Sequence, residues 1–123
     1  MSTFYGLLFE RYPQARSLFG RNSQKEQQKM LTEALVALVM HLDDDSFIEQ
    51  TMLALGRKHI DYKVEDHMYP WVGECLLETL KRASGPSWSP ALESAWGDVL
   101  ASISAIAIRG AGIERSERAA ASA

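Results

Sequence analysis

From Tyr5 to Ile108 the apolar residues of this chain recur at three- and four-residue spacings, and no stretch of strand length alternates apolar with polar. Each such run places one apolar stripe on a helix, so side chains are buried helix against helix and the fold class is all-α. The longest stripe is Leu92, Trp96, Val99, Ile103 and Ile106, at i, i+4, i+7, i+11 and i+14. It stands behind Ser89-Pro90, a strong helix-start signal.

Helix punctuation divides the rest of the chain. Residues 2 to 12 place Tyr5, Leu8, Phe9 and Tyr12 on one face until Pro13 interrupts, and a short turn through Leu18 delivers Phe19-Gly20. Ser23 and Glu26 have capping-box spacing and open a second helix with Gln27, Leu31, Ala34, Leu35 and Leu38 on one side. That helix is expected to stop at His41-Leu42-Asp43-Asp44-Asp45, because a triple aspartate opposes a helix C-terminus and suits the start of the next helix. His41 is then a solvated last-turn residue, and Ser46 with Glu49 repeats the capping box. The third helix runs to about Ile60 and a loop continues through Val64. Asp66 is expected to cap a fourth helix that tolerates Pro70 in its first turn and turns Val72, Cys75, Leu76 and Leu80 inward. After a loop at Gly85-Pro86-Ser87-Trp88, the last helix is predicted to end at Gly110-Ala-Gly112. Residues 1–112 thus form one domain and 113–123 a flexible C-terminal tail.

One polar residue sits where an apolar one belongs. Ile48, Met52, Leu55 and His59 are spaced i, i+4, i+7, i+11, so the imidazole closes the third helix's stripe and points into the core. A neutral imidazole there needs a partner, either a backbone carbonyl or a metal such as the iron of a haem. His67, at a loop-to-helix junction, is the minor rival because no apolar stripe precedes it.

Composition narrows the function classes. At 123 residues the chain has room for one core and one cofactor-sized pocket. Thirteen basic residues scattered without a stripe, against sixteen acidic ones and a net charge of −3, give no footprint for nucleic acid. The apolar runs Ala34 to Met40 and Ile103 to Ile108 fall short of a spanning helix, so no membrane partner is expected. The lone Cys75 has no partner for an internal disulfide, Trp71, Trp88 and Trp96 read as packing residues, and a cytoplasmic location is expected.

The joint order of Phe4-Tyr5, Phe19, Gln27 with Leu31, Lys58-His59, Val64, and Tyr69 with Val72-Gly73-Glu74 resembles the bacterial single-domain haemoglobins and the globin domain of flavohaemoglobins, over residues 4 to 109. The resemblance implies a globin fold with its helices packed around a haem pocket, haem b as cofactor, and His59 as the proximal iron ligand. It implies that Phe19 packs on the haem face, that Tyr5 and Gln27 form the distal pair, and that Leu31 is its apolar wall. Leu55, Lys58, Val64, Tyr69 and Val72 complete the cofactor-binding set, Lys58 as a candidate partner for a haem propionate. A phenol O–H such as that of Tyr5 can donate to a diatomic ligand that takes on negative charge. The function implied is reversible oxygen binding, with nitric-oxide dioxygenation if an external reductase supplies electrons.

Two departures from the family bear on this. The chain begins almost at Tyr5, so the usual first globin helix is expected to be missing, either because the start lies upstream or because the protein is a shortened globin. The last helix would then expose apolar surface and support a symmetric homodimer. Flavohaemoglobins also carry a glutamate on the final helix that completes a network with the proximal histidine and the tyrosine matched by Tyr69. The corresponding position here is about Ala111, with no acid between Asp98 and Glu114, which puts a strongly electron-donating proximal side in doubt. The alternative function is a haem-free globin-like sensor or interaction module.

Overall fold

The computed structural model describes residues 2–19 and 24–122, and no strand occurs among them. Helix α1 (Ser2–Arg11) buries Phe4, Tyr5, Leu7 and Leu8. It stops at Tyr12, beyond which Pro13, with no N–H to donate, opens a 3-10 turn over Pro13–Phe19. Helix α2 spans Gln24–Met40, and its expected cap Ser23 lies outside the described residues. Helix α3 (Asp45–His59) is capped by Asp44, whose carboxylate accepts the Phe47 N–H at 3.0 Å. The predicted Ser46 box is thereby corrected: the aspartate run supplies a carboxylate two residues earlier, where the helix dipole favours negative charge. His41 also differs from expectation. Its Nδ1 donates to the Ala37 carbonyl at 2.8 Å and its ring stacks on Phe47 with centroids 3.9 Å apart, which ties α2 to α3 at their corner.

A turn at Ile60–Tyr62 follows α3, and Lys63 takes the left-handed conformation (φ 64°) that lets Val64 N–H return to the His59 carbonyl at 3.2 Å. A second turn, Asp66–Met68, leads into α4 (Tyr69–Ser84). Glu65 caps that turn; the expected cap Asp66 instead accepts a charged hydrogen bond from Arg115 at 2.9 Å.

Helix α5 starts as expected, with Ser89 Oγ accepting the Leu92 N–H at 3.2 Å, but it spans Pro90–Ser122. The stop predicted at Gly110–Gly112 is corrected: the helix continues through the residues expected to form the tail. Gly110 is a crossing point rather than a cap: a Cβ there would fall inside the Leu53 main chain of α3. Gly56 repeats the arrangement from the other side, facing the Ala107 carbonyl. Two glycines thus let α3 and α5 approach backbone to backbone, and this pair forms the most extensive interface in the fold. Beyond Gly112, Glu114, Arg115, Glu117 and Arg118 make ion pairs back to α3 and the segment after it, which keeps the helix going. Helix α5 is the one helix among those described that is long and apolar enough, by length and composition, to cross a membrane. Almost none of its most apolar stretch is buried, although α5 packs along both α3 and α4.

The core divides in two. One cluster gathers Phe4, Tyr5, Leu7, Leu8, Cys75 and Leu76, with Phe19, Leu31 and Val72 against it. The other is Met52, Tyr69 and Ala107, joined by Ile48, Leu55, Val64 and Ile103. Helix α2 reaches both, through Leu31 and Leu35 on one side and Leu38 on the other, while Val36, Val39 and Met40 face out.

Candidate functional site

His59 is the last residue of α3, and its Nδ1 lies 2.8 Å from the Leu55 carbonyl one turn back. A carbonyl only accepts, so Nδ1 carries the proton and the Nε2 lone pair is left available. No hydrogen bond to Nε2 occurs among the described residues. Burial pushes the imidazole below its ordinary pKa, the bond to Leu55 pulls it back up, and the Lys58 charge lowers it again. The ring is therefore neutral at pH 7. Because the folded value is depressed, its contribution to stability is intact above about 6.5, the ordinary histidine value, and is lost as pH falls through the folded value.

Around His59, Tyr62 presents its ring edge-on at 5.5 Å and Tyr69 lies tilted at 6.4 Å. Tyr69 is buried, and its hydroxyl has no hydrogen-bond partner among the described residues. Burial and the nearby Asp66 charge raise its pKa against the opposing pull of Arg115, so the phenol stays protonated. Ala111, at the position expected to lack an acid, is buried. The first acid beyond it, Glu114, is engaged by Arg57 at 3.1 Å and Arg118 at 2.9 Å. No carboxylate hydrogen-bonds His59 or Tyr69 among the described residues.

A second set of predicted residues meets elsewhere. Tyr5, Phe19 and Gln27 line a cavity of about 540 Å³ together with Phe9, Glu10 and Arg16. Tyr5 is only 4% exposed, its hydroxyl donates to the Gln27 main-chain carbonyl at 3.1 Å, and its ring meets Phe19 edge-on at 5.5 Å. Burial raises this phenol's pKa too, which keeps it a donor. Leu31 and Val72 pack in the Tyr5 cluster, whereas Leu55 and Val64 pack in that of Tyr69. His59 does not line the cavity. Lys58 is exposed, and the rival His67, its side chain 61% exposed, rests edge-on against Trp71.

Sequence reasoning missed Glu10 and Arg16 on the cavity wall. Arg16 reaches it by lying over the Phe9 ring, 4.9 Å from the centroid, a contact across the Pro13 break that helical spacing does not reveal. No group of three or more His, Cys, Asp or Glu able to hold a metal ion occurs among the described residues. A single neutral imidazole suits a metal whose other positions are filled by something else.

An all-α fold with a tautomer-fixed histidine beside one apolar cluster and a buried phenol in the other defines a class, and the comparisons agree with it. The family model for globins matches residues 2–107, and the chain belongs to the globin family. An uncharacterized globin-like protein of Aquifex aeolicus is 33% identical over 82 residues, covering 67% of this chain and 58% of that protein. A flavohemoprotein of Bacillus cereus is 31% identical over 97 residues, covering 77% of this chain. The chain spans 24% of that flavohemoprotein's length. Among solved structures, an engineered carbene transferase, derived from a Rhodothermus marinus protein assigned as a nitric oxide dioxygenase, superposes with a TM-score of 0.81 at 29% identity. That superposition covers 99% of this chain and 82% of the other.

Proposed function

We propose that this globin holds one haem b through His59 and binds dioxygen reversibly, with dioxygenation of nitric oxide as a second activity when another protein supplies electrons. The observation that carries the reading is the place of His59: its Nδ1 is held 2.8 Å from the Leu55 carbonyl, which leaves the Nε2 lone pair available, and its ring lies beside Tyr69. Tyr69 supports it as a buried hydroxyl beside that ring with no partner among the described residues, and Leu55 and Val64 supply apolar wall. Flavohemoprotein and nitric oxide dioxygenase relatives point to the same chemistry. When bound, the haem supplies iron with a position open to a gas.

The chain's own residues set what happens there. Tyr5 stays protonated, sits out of water and has an O–H held by a main-chain carbonyl that it can exchange for a ligand bearing negative charge. Gln27 lines the same cavity with an amide that does not titrate. Among the described residues no carboxylate bonds His59 or Tyr69 and the imidazole is held by a neutral carbonyl, which favours reversible binding over peroxidase-like cleavage. In the second activity, nitric oxide, dioxygen and one electron give nitrate, and the electron comes from an external reductase. An absorption spectrum of the purified protein, with and without dithionite and carbon monoxide, tests the reading; a protein that neither carries haem nor takes it up would be a haem-free interaction module instead.

Tyr5→Phe removes the O–H and keeps the ring. A hydrogen bond to a charged group contributes about 1.5–3 kcal/mol, roughly 10–150-fold in affinity, and giving up the Gln27 carbonyl places the effect near the lower end. Oxygen is expected to leave about tenfold faster, while carbon monoxide, which gathers little charge, changes less. Stopped-flow rates measure both, and equal effects on the two ligands would show that Tyr5 acts by bulk alone.

The assembly we propose is a symmetric homodimer on α5. Leu92 is exposed, and Val99, Ile103 and Ile106 form a groove edged by Asp98 and Arg109. Arg109 is paired with Glu49 of its own chain, and antiparallel pairing of two copies would bring Asp98 of each toward Arg109 of the other, whose guanidinium can bridge both carboxylates. Sedimentation at micromolar concentration is expected to show a dimer that Asp98→Arg dissociates, a change that leaves the Arg109–Glu49 pair within each chain intact. A wild-type monomer, or partition onto lipid vesicles, would overturn this.

A further inference from the structure

We propose that the part of α5 beyond Gly112 is an electrostatic clamp that positions the segment carrying His59. The proposal rests on the reading that His59 holds a haem. Arg57, two residues before His59, pairs with Glu114 at 3.1 Å and with Glu117. Asp61, two residues after it, pairs with Arg118 at 2.9 Å. Glu114 and Arg118 are themselves joined at 2.9 Å, so a continuous chain of charges, Arg57–Glu114–Arg118–Asp61, passes from one side of His59 to the other by way of α5. A separate pair, Arg115 with Asp66 at 2.9 Å, fastens the turn that leads into Tyr69.

The backbone held in this way has little regular structure of its own. Between His59 and Tyr69 lie two single 3-10 turns and the left-handed Lys63, so few helical hydrogen bonds resist local opening. Exposed ion pairs contribute little to global stability, but a linked set joining a short irregular segment to a rigid helix acts on how often that segment opens. Glu114 is the least exposed member, its side chain 19% accessible, and it touches both arginines. Arg57, Asp61, Asp66, Glu114, Arg115, Glu117 and Arg118 are positioning residues: they act through the backbone on His59 and Tyr69, and a one-helix reading of the tail as solvated charge would miss them.

The test reverses two charges in the full chain, Arg115→Glu with Arg118→Glu, and restores them with Asp61→Arg and Asp66→Arg. Amide hydrogen exchange over residues 57–68 is read on haem-free protein, and haem transfer to an excess of a scavenging protein is read on loaded protein. Both are expected to quicken about threefold to tenfold in the reversed variant and to recover in part in the fourfold variant, where the cross-segment pairs are restored but the acid at position 118 still faces Glu114. Salt at about 0.5 M is expected to quicken the wild type more than the reversed variant. Unchanged exchange in the reversed variant, or no recovery in the fourfold one, overturns the clamp. Failure of the wild type to take up haem overturns the haem reading alone, and the exchange comparison on the haem-free chain still decides the clamp.

Discussion

Gly110→Ala is expected to destabilise the protein while Gly112→Ala, two residues along the same helix, stabilises it. In a helix interior alanine is favoured over glycine by about 0.5–1 kcal/mol, because glycine loses more backbone freedom on folding. At Gly112, where an added methyl meets nothing within 4 Å, that gain is realised in full. At Gly110 the methyl would drive into the main chain around Leu53. A backbone cannot rotate aside, so α5 must lift from α3 along their shared interface, at a cost in the overpacking range of about 1–3 kcal/mol or more. Gly56→Ala is expected to behave like Gly110→Ala, since its methyl would enter the Ala107 carbonyl, and it sits one turn before His59. Thermal denaturation separates the signs, at roughly 3–6 °C per kcal/mol for a chain of this size. The same direction of change at Gly110 and Gly112 would mean that α3 and α5 do not cross as closely as described.

That pair of glycines also shows where sequence reading stopped. Apolar periodicity located the helices because burial is one-sided and repeats with the turn, and His59 stood out as the polar end of such a stripe. The signal at Gly110-Ala-Gly112 was misread because glycine marks both a helix end and a close crossing, and only the position of the other helix tells them apart. Charges beyond it looked like a solvated tail for the same reason: Arg115 and Arg118 gain their meaning from Asp66 and Asp61, some fifty residues away. At the site, the bond from His59 to Leu55 was latent in their four-residue spacing, whereas Arg16 over Phe9 depended on the path of the chain around Pro13. Local pattern yields elements; contacts between elements need the fold.

His59→Ala is expected to abolish stoichiometric haem binding, the largest functional loss that one substitution can cause here. No other histidine is placed to take over. His41 makes the same Nδ1 bond, to the Ala37 carbonyl, but its ring is stacked on Phe47 at the corner of α2 and α3, away from Tyr69 and the apolar cluster around it. His67 is largely exposed, and its Nε2 lies 3.6 Å from Glu65. Alanine leaves the Leu55 carbonyl and the apolar walls in place while removing the ring that joins them to iron, so added imidazole, small enough to occupy the lost volume, should restore part of the binding. His67→Ala serves as the control and should bind haem like the wild type. Haem titration followed by absorbance decides among these outcomes: a His59→Ala protein that reaches full occupancy and a wild-type ferrous spectrum without imidazole would remove His59 from the proposed site, and a loss confined to His67→Ala would move the ligand to the surface loop.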